Sequence, residues 1–218
     1  MPDRALDIPA ERLPAWLAGF ARRHGSTHHE AGPDAVVVRA ADGAVARCAV
    51  PFPPLHPDDD APFGGLLAHA ATDRRVGVLL VRRGGYAVGV FDGTRLIASK
   101  VGSRHVQGRT AAGGQSQQRF ARRREKQARE AFEAAADVAA RVLLPHLASL
   151  DAVVTGGDRA AVDAVLTDRR LAGLRSLTAG APLAVPDPKL AVLKQTPARF
   201  RAVRIALSEP EPEPSAEP

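Results

Sequence analysis

Three short apolar runs, separated by sequences typical of tight turns, constrain the fold of this 218-residue chain more than any other feature. The runs are residues 76–81, 86–91 and 96–101, and the breaks between them contain Gly84-Gly85 and Asp92-Gly93. Such runs between glycine-containing breaks are typical of β-strands. Connections as short as these join neighbouring strands in antiparallel order. We therefore predict a three-stranded antiparallel meander.

A long amphipathic stretch follows the meander and predicts a helix from about Gln115 to Leu147, with Pro145 near its end. Residues 102–114, which precede the helix, are polar and glycine-rich without periodicity, and this predicts an exposed loop. The apolar residues of the helix recur along one stripe, at Ala121, Ala128, Ala131, Phe132, Ala135, Val138, Ala139 and Val142.

The segment after the long helix alternates between strand and helix patterns. Residues 152–154 predict a buried strand, which a glycine turn at 155–158 connects to a helix over about 159–166. A short helix around 168–174 and an edge strand at 200–207 complete the pattern. A meander, a long crossing helix and a strand–turn–helix unit predict an α/β (α+β) fold, with a mixed sheet flanked by helices.

The N-terminal part carries its own helix and hairpin signals. Residues 9–24 have apolar side chains at helical spacing, and the strand-like runs 36–38 and 45–50 flank the turn sequence Asp42-Gly43. A proline-rich connector at 51–62 and a short helix at 64–71 precede the meander.

Three regions follow from these patterns. We expect an N-terminal helix and hairpin extension at residues 1–60, the main domain at 61–207, and a disordered tail rich in Glu and Pro at 208–218.

The charge balance favours a polyanionic partner. The formal net charge is +6, and the last eleven residues hold four Glu and no basic residue, so the remainder of the chain carries an excess of ten positive charges. Such an excess suits nucleic acid, because each neutralised phosphate releases counterions. The alternative is that abundant Arg and Ala reflect a GC-rich genome.

Several classes of site are disfavoured by the composition. Cys48 is the single cysteine, which excludes an intrachain disulfide and a cysteine zinc finger. His24, His28 and His29 have no supporting cysteine, so we expect structural or solvent roles and predict no metal site. The glycine turn at 155–158 lacks the Lys of a P-loop. No signal-peptide or membrane-spanning pattern is present, and we expect a cytoplasmic protein without membrane contact.

The sequence Gly113-Gly114-Gln115 carries the chemistry that the chain suggests. Two glycines free the backbone to approach a reacting centre closely. The glutamine amide donates and accepts hydrogen bonds but is not a base, so it can orient a water molecule while backbone N–H groups stabilise an oxyanion. This machinery is adequate for an activated ester beside a hydroxyl group and inadequate for an amide. An ordinary glycine-rich connector is the alternative.

Basic residues crowd the first turns of the helix behind this loop. They recur at the i, i+3, i+4, i+7 spacing of one helix face, at Arg119, Arg122, Arg123 and Lys126. Arg104 and Arg109 lie in the preceding loop, and we expect all six residues to contact RNA. A solvated helix face and a plain loop are the alternatives.

The stretch from Gly113 to Arg122 resembles the catalytic loop of the class I translation release factors of eukaryotes and archaea. Gly-Gly-Gln-Ser followed by Arg-Phe-Ala-Arg matches in register. The similarity covers roughly residues 74–207, the middle domain of such factors, which implies that 61–207 is the catalytic domain. Their codon-reading and factor-binding domains have no counterpart in the chain.

The chain is more similar still to the Vms-like release factor (VLRF) family, in particular its small actinobacterial-type members. This resemblance implies a peptidyl-tRNA hydrolase with the large ribosomal subunit, peptidyl-tRNA and rRNA as partners, and without a cofactor. The family loop is written Gly-x-x-Gln, a spacing that Gly114 and Gln117 satisfy. Gln115 is favoured as the catalytic residue by the register, and Gln117 is the alternative.

Three functions are therefore considered. The first is hydrolysis of the peptidyl-tRNA ester on stalled ribosomes, as in ribosome rescue and ribosome-associated quality control. The second is a non-catalytic ribosome- or RNA-binding module on the same fold. The third is cleavage of the tRNA itself.

Overall fold

A computed structural model describes residues 4–103 and 115–209, with side chains in the second range from Lys126 onward. The strands are β1 (Arg4–Ile8), β2 (Thr27–Ala31), β3 (Ala35–Ala40), β4 (Val45–Ala49), β5 (Arg75–Arg82), β6 (Gly85–Asp92), β7 (Arg95–Ser103), β8 (Ala152–Gly157) and β9 (Val203–Ser208). The α-helices are α1 (Leu13–His24), α2 (Leu66–Ala71), α3 (Gln115–Leu143), α4 (Arg159–Leu166), α5 (Ala172–Ser176), α6 (Leu190–Lys194) and α7 (Pro197–Phe200).

The chain forms two compact units. The first consists of residues up to Thr72 together with those from Ala198 onward, and the second consists of Asp73–Pro197. The boundaries therefore lie at 72/73 and 197/198, whereas the sequence suggested divisions near residues 60 and 207. The reason is that β9, near the chain's C-terminal end, pairs with the strands of the first unit.

The first unit contains a five-stranded antiparallel sheet in the order β1-β9-β4-β3-β2. Leu13, Leu17 and Phe20 of α1 are buried with the sheet residues Val38 and Ile205 in one core. Strand periodicity placed a strand at 200–207, but its prediction as an edge strand of the main domain was wrong. The period shows which residues are buried and not which sheet receives them.

Two strands of this sheet were not predicted. β1 is a short strand, and β2 has the sequence Thr-His-His-Glu-Ala, whose polar residues show no alternation. β2 pairs through one side only, with β3. Cys48 is fully buried, and burial raises the pKa of its thiol to about 12. It is a small core residue, as expected.

The second unit contains a four-stranded mixed sheet in the order β7-β6-β5-β8. β5, β6 and β7 pair antiparallel, and β8 pairs parallel to β5, so the meander and the mixed sheet are confirmed. Residues of α3 and α4 are buried on one face of this sheet with Leu79, Val81, Val88 and Val90. The opposite face receives α6, where a side chain at Gly89 would lie 3.0 Å from Leu193.

The long helix begins at Gln115, as predicted, and ends at Leu143 rather than Leu147. A 3-10 segment, Leu144–Ser149, follows it. Pro145 explains the earlier end, because its ring has no N–H to donate and collides with the carbonyl one turn back.

Candidate functional site

Helix α3 is anchored to the sheet by its C-terminal half. Ala135, Ala139 and Leu143 are fully buried in the core of the second unit. The end of the helix approaches β5 closely, since a side chain at Gly77 would lie 3.4 Å from Leu143 Cδ2 and 3.2 Å from Leu150 Cδ1. Gly77 therefore allows the helix to pack directly on the strand.

The helix is longer than the strand it crosses. Its 29 residues span about 43 Å at the rise of an α-helix. The 8 residues of β5 span about 26 Å. Leu143 lies beside Gly77 near the start of β5, and among the described side chains of α3 those before Ala135 are exposed or half-buried.

Two halves of α3 differ in charge, and we name them the basic half, residues 115–129, and the anchored half, residues 130–143. The basic half contains six Arg or Lys and one Glu. The anchored half has three acidic residues and only Arg141 as a basic one.

The basic half consists mostly of good helix formers, but its charges do not suit the N-terminal end of a helix. Its first turn has no acidic residue, although negative side chains there normally stabilise a helix by about 0.3–1 kcal/mol through the helix dipole. Arginines follow within the next two turns instead. A polyanionic partner would supply the negative charge that this end lacks.

The base of the loop before α3 is formed by the paired ends of β6 and β7. Gly85 pairs with Ser103 and Tyr86 with Gly102. The Tyr86 ring lies against Gly102, where an added Cβ would come within 2.4 Å of the ring. The strand thus leaves the sheet beneath an aromatic ring that packs against the core.

An ion cluster ties the anchored half to the turn after α4. In the 3-10 turn Arg169–Leu171, Arg170 donates to Asp137 Oδ1 of α3 at 2.7 Å and to Asp168 Oδ2 at 2.6 Å. The side-chain hydrogen bonds from Arg170 lower the pKa of Asp168 to about 2, and the bond to Asp168 raises the pKa of Arg170. The cluster is exposed to solvent, so its role is to hold the helix in position rather than to carry out chemistry.

The residues predicted to act fall into three groups. Gln115 is the first residue of α3, and Gln117, Arg119, Arg122 and Arg123 lie in its first three turns, but their side chains lie outside the described residues. Lys126 is described, and it is exposed. The remaining predicted residues, Arg104, Arg109, Gly113 and Gly114, lie outside the described part of the chain.

Three basic residues that sequence reasoning missed lie near the loop. Lys100 is the cross-strand partner of Val88, so it is on the sheet face that α3 covers, and it is exposed. Arg82 and Arg83, also exposed, are at the β5–β6 turn, the end of the sheet from which the loop departs. Spacing along the sequence gave no signal for them, because their distance from the loop depends on strand pairing.

The glycine turn after β8 has a structural role. Gly157 has a φ of 100°, and a side chain there would lie 2.2 Å from the Val81 carbonyl oxygen. Its N–H donates to Leu183 O, that of Asp158 donates to Val81 O, and the Asp158 carboxylate caps α4. These N–H groups are already bonded and are not free to bind a phosphate. The turn is therefore structural, which agrees with its lack of the P-loop lysine.

The histidines near the N-terminus have structural contacts. His24 Nδ1 lies 2.8 Å from Asp42 Oδ2, and the His29 ring lies 5.5 Å from that of Phe63. Among the described residues, no group of three or more His, Cys, Asp or Glu could hold a metal ion. Within the same part of the chain, no helix is long and apolar enough to cross a membrane.

The solved structures that are similar to this chain include two archaeal ones. The chain is similar to the crystal structure of the archaeal translation termination factor aRF1, with 16% identity, a TM-score of 0.46, and coverage of 90% of this chain. A structure described as an archaeal protein gives 16% identity, a TM-score of 0.43 and the same coverage of 90%. The match spans 66% of the length of each archaeal chain.

Comparison with curated proteins gave no match. Residues 74–206 match the protein family described as the Actinobacteria/chloroflexi VLRF1 release factor. The matched range includes the whole meander, the loop, α3 and the β8–α4 unit. Because it covers well over half of the chain, the protein belongs to this family of VLRF1 release factors.

Proposed function

We propose that the protein is a peptidyl-tRNA hydrolase that acts on stalled ribosomes or large subunits and releases nascent chains, in ribosome rescue or quality control. One observation carries the proposal. The Gly113-Gly114 pair directly precedes a helix that begins at Gln115, and the described side chains of this helix are buried only from Ala135 onward. This arrangement supports a loop that reaches into a deep, RNA-lined site.

The reaction needs little from the protein. The oxygen of a water molecule attacks the ester carbonyl carbon, and the bond to the 3′ oxygen of the tRNA breaks. The products are a peptide carboxylate and a tRNA with a free 3′ hydroxyl. The Gln115 amide orients the water, backbone N–H groups of the glycine pair stabilise the oxyanion, and the neighbouring 2′ hydroxyl of the substrate relays the proton. Gln117 would take the role of Gln115 if the loop follows the Gly-x-x-Gln spacing.

The partners follow from the charge of the basic half. Phosphates of rRNA and of the tRNA acceptor end are the polyanions that a helix of this composition suits, and Arg119, Arg122, Arg123 and Lys126 supply the contacts. The loop residues Arg104 and Arg109 extend the same surface. Such a substrate places the protein in the cytoplasm.

Release of peptide from stalled peptidyl-tRNA–ribosome complexes tests the proposal. Gln115→Ala should lower the release rate by about 10²–10³-fold, the loss typical of removing one transition-state hydrogen bond. Gln127→Ala is the matched control, because Gln127 lies in the same helix, is half-buried and should leave the rate unchanged.

The outcomes separate the alternatives. Wild-type rates for both Gln115→Ala and Gln117→Ala would exclude the loop as the catalytic element. The 3′ end of the released tRNA decides the reaction type, because an intact CCA end indicates ester hydrolysis and a shortened end indicates cleavage of the tRNA.

A further inference from the structure

One face of the sheet in the first unit packs on α1, where Val36, Val38 and Cys48 are buried. On the other face the side chains alternate with these core residues. They are Ala5 and Asp7 of β1, His28 and Glu30 of β2, Ala35, Val37 and Arg39 of β3, Val45, Arg47 and Ala49 of β4, and Arg204, Ala206 and Ser208 of β9.

Three arginines form a diagonal across this face, and we name Arg39, Arg47 and Arg204 the arginine stripe. Arg47 pairs across the sheet with Val37 on one side and with Ala206 on the other. Arg39 lies two residues from Val37 along β3, and Arg204 lies two residues from Ala206 along β9. These two displacements point toward opposite ends of the sheet, so the three arginines lie on a diagonal. Diagonal neighbours in an antiparallel sheet are about 7–8 Å apart. This is of the same order as the distance between successive phosphates along a nucleic-acid strand.

The arginines are available to an outside partner. All three side chains are exposed, and their guanidinium groups make no hydrogen bond or ion pair with the described residues. Two acidic residues share the face. Asp7 opposes Arg204 on the neighbouring strand, and Glu30 is two strands from Arg47.

The residues between the arginines indicate how a partner would bind. Ala49 and Ala206 lie beside the stripe and are small, exposed and half-buried respectively, so a polyanion can approach the sheet closely there. The face holds no Phe, Tyr or Trp, which excludes the stacking platform that sheets use to bind single-stranded bases. Contacts to phosphates, without base readout, remain as the suitable mode.

We propose that the arginine stripe is a second RNA-contact surface, which binds the phosphate backbone of double-stranded RNA without sequence preference. It belongs to the first unit and α3 to the second, and it needs neither the glycine loop nor the hydrolysis proposed above. Its occupant is an RNA helix, since evenly spaced guanidinium groups complement evenly spaced phosphates.

Binding of the full chain to a fluorescently labelled RNA duplex of about two helical turns, titrated across salt concentrations, tests the proposal. The triple variant Arg39→Gln, Arg47→Gln, Arg204→Gln should bind at least about 10-fold more weakly, and the slope of log affinity against log salt should decrease by about 2–3, close to one per phosphate contact. The matched control is Arg12→Gln, Arg22→Gln, Arg23→Gln, which removes three exposed charges from and beside α1 on the covered side. The control should change the slope by less than about 1.

The triple variant Arg→Lys at the same three positions is a control for misfolding. It keeps the charge, so it should keep most of the salt slope. Equal losses in the stripe and control triples would overturn the proposal, since only total charge would then matter. An unchanged slope in the stripe triple would overturn it too, and would indicate an acidic protein surface as the partner. The readout is RNA binding alone, so its failure leaves the hydrolysis proposal untouched, and failed peptide release leaves this one untouched.

Discussion

The two halves of α3 follow the same helical geometry but obey different constraints. The anchored half places Ala135, Ala139 and Leu143 in the core and its acidic residues on the outside, as an amphipathic surface helix does. The basic half continues the alanine stripe in sequence but surrounds it with arginines, and none of its described side chains is buried. A helix end with this charge excess is what the proposed RNA contacts require.

The largest effect is expected from one substitution made in both halves. Ala139 and Ala128 are eleven residues apart and lie on the same side of the helix. Ala139→Glu buries an unpaired carboxylate in the core and should lower the free energy of unfolding by about 3–5 kcal/mol. Ala128 is half-buried, so Ala128→Glu should cost less than about 1 kcal/mol. Urea unfolding followed by circular dichroism measures both. Similar losses would show that the basic half is also packed on the domain.

The second prediction concerns the basic half, where substitutions should weaken RNA binding and leave stability almost unchanged. Arg119→Gln, Arg122→Gln, Arg123→Gln should weaken RNA-duplex binding by at least about 10-fold and reduce the salt slope by about 3. The thermal midpoint should stay constant or rise slightly, because cations are removed from the positive end of the helix dipole. The triple variant at Arg12, Arg22 and Arg23 serves again as the charge-matched control. A marked loss of stability with unchanged RNA binding would make these arginines structural.

Local sequence patterns predicted the strand pairing of the second unit's sheet well and that of the first unit's sheet poorly. The breaks at 83–85 and 92–93 fix both partner and direction for β5, β6 and β7, since chains that turn so tightly have no other strand within reach. β1 and β9 pair across almost the whole length of the chain. No local pattern encodes such a pairing, so β9 was assigned to the wrong sheet.

The candidate site divides in the same way. The loop and the basic half are contiguous in sequence, so the resemblance to release factors suggested Gln115, with Gln117 as the alternative, and helical spacing suggested the arginines after it. Lys100, Arg82 and the arginine stripe are assembled by strand pairing and became visible only with the sheet registers. Residues whose proximity depends on non-local hydrogen bonds leave no periodic signal.

The smallest effect is expected at the ion cluster that holds the anchored half, and it depends on pH. The pKa of Asp168 is lowered to about 2 from an ordinary value of 3.8, so its contribution to stability is complete above pH 4 and is lost as the pH falls through 2. Asp168→Asn should therefore lower the urea midpoint slightly at pH 6, and the difference from the wild type should shrink toward pH 2. Asp163→Asn is the control, because Asp163 is exposed and lies 4.0 Å from its partner Arg159. If the Asp168→Asn difference stayed constant over this range, the charge pair would not be its cause, because Asn can still accept the hydrogen bond from Arg170 N.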